Sequence, residues 1–154
     1  LFKCTDSDIA EVRFDRADGA GFVIKKSAAD WVLVPPPGDG TVRQSVAQRI
    51  VVGLATLAGN EVAGESAETT DQLAVFGLDT PEVEVEVFRQ DGSSCGRAAA
   101  AVVGADSPSP AYFVKRTDSG LVTTLPAYLY SRLDMRRDDL IAVRTDETTK
   151  APAQ

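Results

Sequence analysis

The sequence predicts an α+β fold: an antiparallel β-sheet made of a meander and hairpins, one long amphipathic helix packed on a face, and a short C-terminal helix. Three observations carry that expectation. Short segments that alternate apolar and polar residues recur along the chain, bounded by Gly, Pro, Asp or Ser. One stretch, residues 41–57, instead repeats apolar residues every three or four positions. Strand, helix and strand never alternate in the way a parallel sheet requires.

The elements follow in order. Residues 9–15, IAEVRFD, set Ile9, Glu11 and Arg13 against Ala10, Val12 and Phe14, as in a half-buried strand. Asp18-Gly19 signals a hairpin connection. GFVIKK, 21–26, and WVLV, 31–34, complete a three-stranded meander. PPPGDG, 35–40, stops it, because proline cannot join a ladder. Thr41 suits the N-cap of a helix of about four to five turns. Val42, Val46, Ile50, Leu54 and Leu57 form its apolar face, and Gly59-Asn60 ends it.

A short strand is expected over 61–63. One helical turn runs from Thr69 or Thr70 to Phe76, with Leu73, Phe76 and Leu78 facing the core. EVEVEVF, 82–88, places Val83, Val85 and Val87 on one face and Glu82, Glu84 and Glu86 on the other. Asp91-Gly92 turns the chain into the strand CGRAAAAVVG, 95–104, and SPSP, 107–110, is a loop. AYFVKR, 111–116, and LVTTL, 121–125, form a hairpin across Asp118-Ser119-Gly120. Pro126 suits the first turn of the short helix, with Tyr128, Leu129 and Leu133 as its apolar stripe. RRDDL, 136–140, closes that helix, and IAVR, 141–144, ends the fold as a short strand. Residues 1–144 thus read as a single domain, and TDETTKAPAQ, 145–154, as a disordered tail or linker.

The totals restrict function. A chain of 154 residues with net charge −7 has no basic excess with which to bind nucleic acid or an anionic membrane surface. No apolar run approaches a membrane span. The chain begins at Leu1 without an initiator Met, so it reads as an excised piece whose membrane anchor would lie upstream. Histidine is absent, which removes the usual general base and the commonest zinc ligand. Neither a phosphate loop nor a nucleophile motif occurs, so no cofactor, metal or catalytic residue is expected. Cys4 and Cys95 match no metal spacing. Free thiols are the favoured reading and one disulfide the alternative.

Four features invite a functional reading, and each has a structural one. In FGLDTP, 76–81, Gly77 permits a turn, Leu78 plugs the core and Pro81 restricts the residue before it. A peptide-binding corner is the alternative. The glutamate row is the wet face of a strand, with Arg13, Lys25 and Lys26 as candidate partners from neighbouring strands. A cation site would need ligands converging from a loop, and paired-carboxylate catalysis would need them facing across a cleft. Trp31, the only tryptophan, anchors the core or serves as an exposed platform for a sugar or peptide. Arg136 sits in a salt-bridged helix end, and an anion-binding role would require a second donor.

The order of landmarks adds a resemblance. D-I-x-x-V comes first. Trp31, Leu33 and Pro36 then form W-x-L-x-x-P, and Leu54 and Leu57 form L-x-x-L. F-G-L-D-x-P, V-x-V-x-x-x-D-G, Val103-Gly104, Y-F-V and finally Arg136 with Leu140 follow. Over residues 8–142 the chain resembles a bacterial domain-of-unknown-function family whose members often hold two such units behind an N-terminal membrane anchor. Their genes commonly neighbour those of ABC-transporter permeases and a gliding-motility auxiliary protein. The strand before Gly104 departs from the family in being alanine-rich. Trp31, Gly77, Leu78, Pro81 and Arg136 are the motif residues, structural in role.

The resemblance implies an address on the extracytoplasmic side of the bacterial inner membrane, periplasm or equivalent. It also implies a protein partner there, such as an ABC permease or an auxiliary subunit. The leading expectation is a non-catalytic binding or scaffolding module associated with an ABC-type transporter complex, with an exposed sheet edge as its surface. The alternative is a small-ligand sensor for a glycan or peptide, with Trp31 or Tyr112 in a groove. A carboxylate-based hydrolase ranks last.

Overall fold

In the computed structural model, which describes residues 2–36, 40–59 and 61–142, eight antiparallel strands form one sheet. In chain order, β1 (Ile9–Arg16), β2 (Phe22–Ser27) and β3 (Asp30–Val34) make the expected meander. β4 (Thr41–Val42) precedes the helix α1 (Gln44–Ala55), and β5 (Val62–Gly64) precedes the turn of helix α2 (Thr70–Ala74). β6 (Val83–Arg89), β7 (Ser94–Val103), β8 (Ala111–Arg116) and β9 (Val122–Leu125) are successive hairpin strands. α3 (Ala127–Tyr130), a 3-10 turn (Arg137–Leu140) and β10 (Ile141–Ala142) complete the order. The strands lie β3-β2-β1-β6-β7-β8-β9-β5, and β4 pairs with β10 in a separate two-stranded ladder. The fold is therefore α+β, as the patterning predicts.

The inner face carries the larger core. Phe14, Ile24, Trp31 and the β6 valines are buried on it under Ala47, Ile50, Val51 and Leu54 of α1. Leu133 and Leu140 from the C-terminal segment close the same cluster. Each fully buried valine of β6 stabilises the fold by roughly 1.5–3 kcal/mol relative to an exposed one. A second cluster lies on the opposite face, over β7 to β9 only. There Ala67, Leu73, Phe76 and Leu78 cover Ala99, Ala101, Phe113 and Val122.

β7 is thus covered from both sides, and this accounts for its alanines. Ala98 and Ala100 belong to the inner cluster, Ala99 and Ala101 to the outer one, and all four are buried. Small side chains let both layers approach the strand closely.

The helix is shorter than its apolar period suggests. Thr41 and Val42 pair with Ala142 and Ile141, and the Arg43 N–H donates to the Leu140 carbonyl at 2.7 Å. Thr41 is therefore a strand residue rather than an N-cap, and helix begins only at Gln44. It ends at Ala55 with Thr56 as C-cap, while Leu57 stays buried in the following segment. Periodicity reported burial there, not helix. Asn60 and the tail 145–154 lie outside the described residues. Pro126 is the N-cap of α3 rather than part of its first turn, and Tyr128 is exposed; Tyr130 takes the buried place. Among the described residues no helix is long and apolar enough to cross a membrane.

Cys4 and Cys95 are joined in a disulfide, with their Cα atoms 5.9 Å apart. The reading that favoured free thiols is corrected by the path of the N-terminal segment. The Lys3 N–H donates to the Cys95 carbonyl at 3.1 Å, and Phe2 is buried in the core, so Cys4 is held beside β7. A disulfide of this kind is consistent with an oxidising, extracytoplasmic location.

Candidate functional site

The corner 76–81 is part of the second core. Gly77 has φ +72°, a region that side chains resist, and a Cβ there would stand 3.4 Å from Ala101 Cβ and from a Val103 methyl carbon. Leu78 is buried beneath it, with its N–H donating to the Leu73 carbonyl at 2.9 Å. Phe76 meets Phe113 edge-on at 5.1 Å. Pro81 is half-buried beside the start of β6, where the Glu82 N–H bonds the Ala100 carbonyl at 2.9 Å. Thr69 caps α2 through the Gln72 N–H at 3.2 Å. The corner's apolar side chains are turned inward, to cover β7 to β9.

The glutamate face lies on the outer side of the other half of the sheet. Registry places Asp15 opposite Glu84 and Arg13 opposite Glu86 on one side of β6, and Arg97 opposite Glu86 on the other. The Arg97 guanidinium reaches Asp15 and Glu84 at 3.0 Å and Glu86 at 3.3 Å. Burial disfavours the Arg97 charge, but hydrogen bonds to Glu84 and Asp15 outweigh it, so its pKa is raised. Lys25 and Lys26 are not the partners of this row, because β2 lies beyond β1. Lys25 is opposite Glu11, and the Lys26 ammonium stands 5.7 Å from the centre of the Trp31 ring. Arg13 pairs with Glu11 and lies 4.7 Å over the Phe88 ring. Only Arg13, of the three expected partners, faces the row.

Arg97 was missed in the sequence although a signal for it existed. Folding the chain about Asp91-Gly92 sets Glu86 against Arg97 directly. With an arginine among them, the carboxylates form a partly offset, still acidic row on one face, not an opposed pair across a cleft. Among the described residues no group of three or more His, Cys, Asp and Glu side chains is placed to hold a metal ion.

Trp31 is buried, which removes the platform reading. Its indole N–H donates to Gln48 Oε1 at 3.2 Å. Its backbone N–H and carbonyl both bond the Gln44 side chain, at 2.7 and 2.8 Å. Gln44 therefore occupies the outer edge of β3 as a neighbouring strand would. That edge is further blunted by Pro35 and Pro36, and the edge strand at the other end, β5, has three residues. The sheet edges are small targets; the open face is the larger one.

Arg136 is exposed and pairs with Asp18 at 3.0 Å. The second cation beside it is Arg16, whose side chain is 5% exposed. Arg16 is committed to Asp134 at 2.7 Å, Asp18 at 3.4 Å and the Met135 carbonyl at 3.0 Å. Arg137 donates to the carbonyls of Pro35 and Pro36. These arginines tie the C-terminal segment to the β1–β2 turn and the proline loop. A depression of about 330 Å³ beside them is lined by Tyr112, Tyr130, Glu82 and Asp134. Tyr112 is half-buried against Tyr130 at 4.7 Å, and burial followed by the Asp134 charge pushes the Tyr130 hydroxyl well above the ordinary tyrosine value.

The model of a family described as a domain of unknown function (DUF4340) matches residues 34–145. The chain belongs to that family. The match begins at Val34, so the early landmarks of β1 and Trp31 lie outside it. No curated protein and no solved structure matches the chain.

Proposed function

We propose, taking membership of the DUF4340 family as the premise, that this chain is a non-catalytic binding or scaffolding module on the extracytoplasmic side of a bacterial envelope. It acts within an assembly that includes an ABC-type transporter, held to the membrane by a segment outside this sequence. The observation that carries the reading is the outer face of β3, β2, β1 and β6, which no cluster of the described residues covers. Arg13 and Arg97 pair with carboxylates on it, and Val32 and Val34 stand exposed on its edge strand, β3. A paired, shallow face of this kind suits a protein surface and offers no acid or base poised for chemistry. The disulfide supports the address, since such bonds persist outside the reducing cytoplasm.

The partner has a stated chemistry: a protein surface with an apolar patch for Val32 and Val34 at the β3 edge and basic groups for the carboxylates around Arg97. In-cell crosslinking of the full-length protein in its native membrane, read by mass spectrometry, tests the reading. Links from this domain to permease or auxiliary subunits are expected. Abundant membrane-located protein with no protein links would count against it.

A further inference from the structure

The N-terminal segment, the β6–β7 hairpin and the β8–β9 turn meet around the disulfide and enclose a depression of about 360 Å³. Four cations line it, Lys3, Arg89, Arg97 and Arg116, against two carboxylates, Glu86 and Asp118. This is a local positive excess on a chain of net charge −7. Two of the cations are already neutralised. Arg116 holds Asp118 through two hydrogen bonds, at 3.0 and 2.9 Å, and Arg97 serves the acidic row.

The other two differ. Among the described residues Arg89 bonds only neutral groups: the Lys3 carbonyl at 2.7 Å, the Ser94 carbonyl at 3.2 Å and Ser93 Oγ at 3.3 Å. Neither Arg89 nor Lys3 forms an ion pair among the described residues. The Arg89 guanidinium is fixed by these contacts, and no carboxylate of the described residues stands in ion-pair contact with it, Asp91 acting only at longer range. Gly96 widens the site on its other wall. A Cβ at Gly96 would stand 3.3 Å from three atoms of the Arg116 guanidinium, so that guanidinium lies flat over the glycine. The disulfide holds the Lys3 segment against this wall.

We propose that this depression binds a phosphate-class anion, with Arg89 as the fixed cation and Lys3 as the mobile one. The ligand is a phosphate mono- or diester, free or carried on a lipid headgroup. The chemistry follows from positive charge with no ion pair among the described residues, arginine geometry suited to phosphate oxygens, and a lysine able to close on a third oxygen. The depression adjoins the outer face through Glu86 and Arg97, but the inference rests on Arg89 and Lys3, which the scaffold reading does not use.

The test titrates the whole chain with inorganic pyrophosphate and follows backbone amide shifts. Saturable shifts at Lys3, Gly96 and Thr117 are expected, weakening as salt rises. Lys3→Gln, at an exposed position with no side-chain hydrogen bond or ion pair among the described residues, should weaken binding several-fold, and adding Arg89→Gln should abolish it. Lys3→Gln keeps the test decisive if Arg89→Gln disturbs the hairpin. Sedimentation with phosphatidylglycerol and phosphatidylcholine vesicles separates the sources. Binding to the first alone, competed by pyrophosphate, supports a headgroup; pyrophosphate binding without vesicle binding supports a free phosphate. No site-specific shift up to about 10 mM pyrophosphate, or binding unchanged in Lys3→Gln, would overturn the proposal.

Discussion

Strands β3, β2, β1 and β6 share one hydrogen-bonded frame with β7, β8 and β9, yet the two halves are covered differently. The first half has a core on its inner face and paired charges on its outer one. The second half is buried on both, under α1 and the C-terminal segment within and under the corner 76–78 without. The difference is written in residue size as well as polarity. EVEVEV alternates because one face is wet. The four alanines of β7 do not alternate because neither face is. In a strand buried twice, small residues set how near two layers approach, and this is why Gly77 can sit against Ala101.

Four perturbations sharpen the comparison, in descending order of effect. Replacing Cys4 and Cys95 together by Ser, or reducing them, releases a crosslink spanning 91 residues that staples the start of the open half to the seam strand β7. Chemical denaturation should show a loss of about 2–5 kcal/mol. Next, Ala101→Leu drives a larger side chain into the doubly covered half and should cost about 1–3 kcal/mol, whereas Glu84→Gln on the open half should stay within about 1 kcal/mol. Equal costs at the two positions would break the distinction.

Arg97→Gln leaves three carboxylates together that are 63%, 31% and 22% exposed, so solvent screening should hold the loss to about 1 kcal/mol or less. The smallest effect concerns pH. With no histidine in the chain, stability should be flat between about pH 5 and 8. The Asp118 carboxyl is lowered, first by its hydrogen bond to Arg116, and that of Asp18 first by the Ala20 N–H. A lowered folded value means the contribution is present above the ordinary 3.8 and lost as pH falls through the folded value. Thermal melts should therefore begin to decline only on the acid side of about 3.8.

Much of the fold was legible because local alternation, turn residues and one helical period agree with the sheet that forms. The meander, the β6–β7 hairpin and the buried Leu78 followed from residues near in sequence. What was not legible depends on distant pairing. The β4–β10 ladder converts Thr41 from a cap to a strand residue through partners a hundred positions away. The disulfide depends on where the N-terminal segment lies, and the Arg16–Asp134 tie on how the C-terminal segment returns. Arg97 was a nearer miss, since hairpin registry alone places it beside Glu86. For the binding surface, side-chain period marked the open face, but nothing local could say that Gln44 fills the edge of β3.

The most direct test of the account places a photo-activated crosslinking side chain at position 13 or 25, on the open face, and at position 71, on the exposed side of α2. The full-length protein is then illuminated in its native membrane. The account predicts a discrete protein adduct from positions 13 and 25 and none from 71. Adducts from 71 alone, or none from any position in protein shown to be folded and membrane-located, would contradict it.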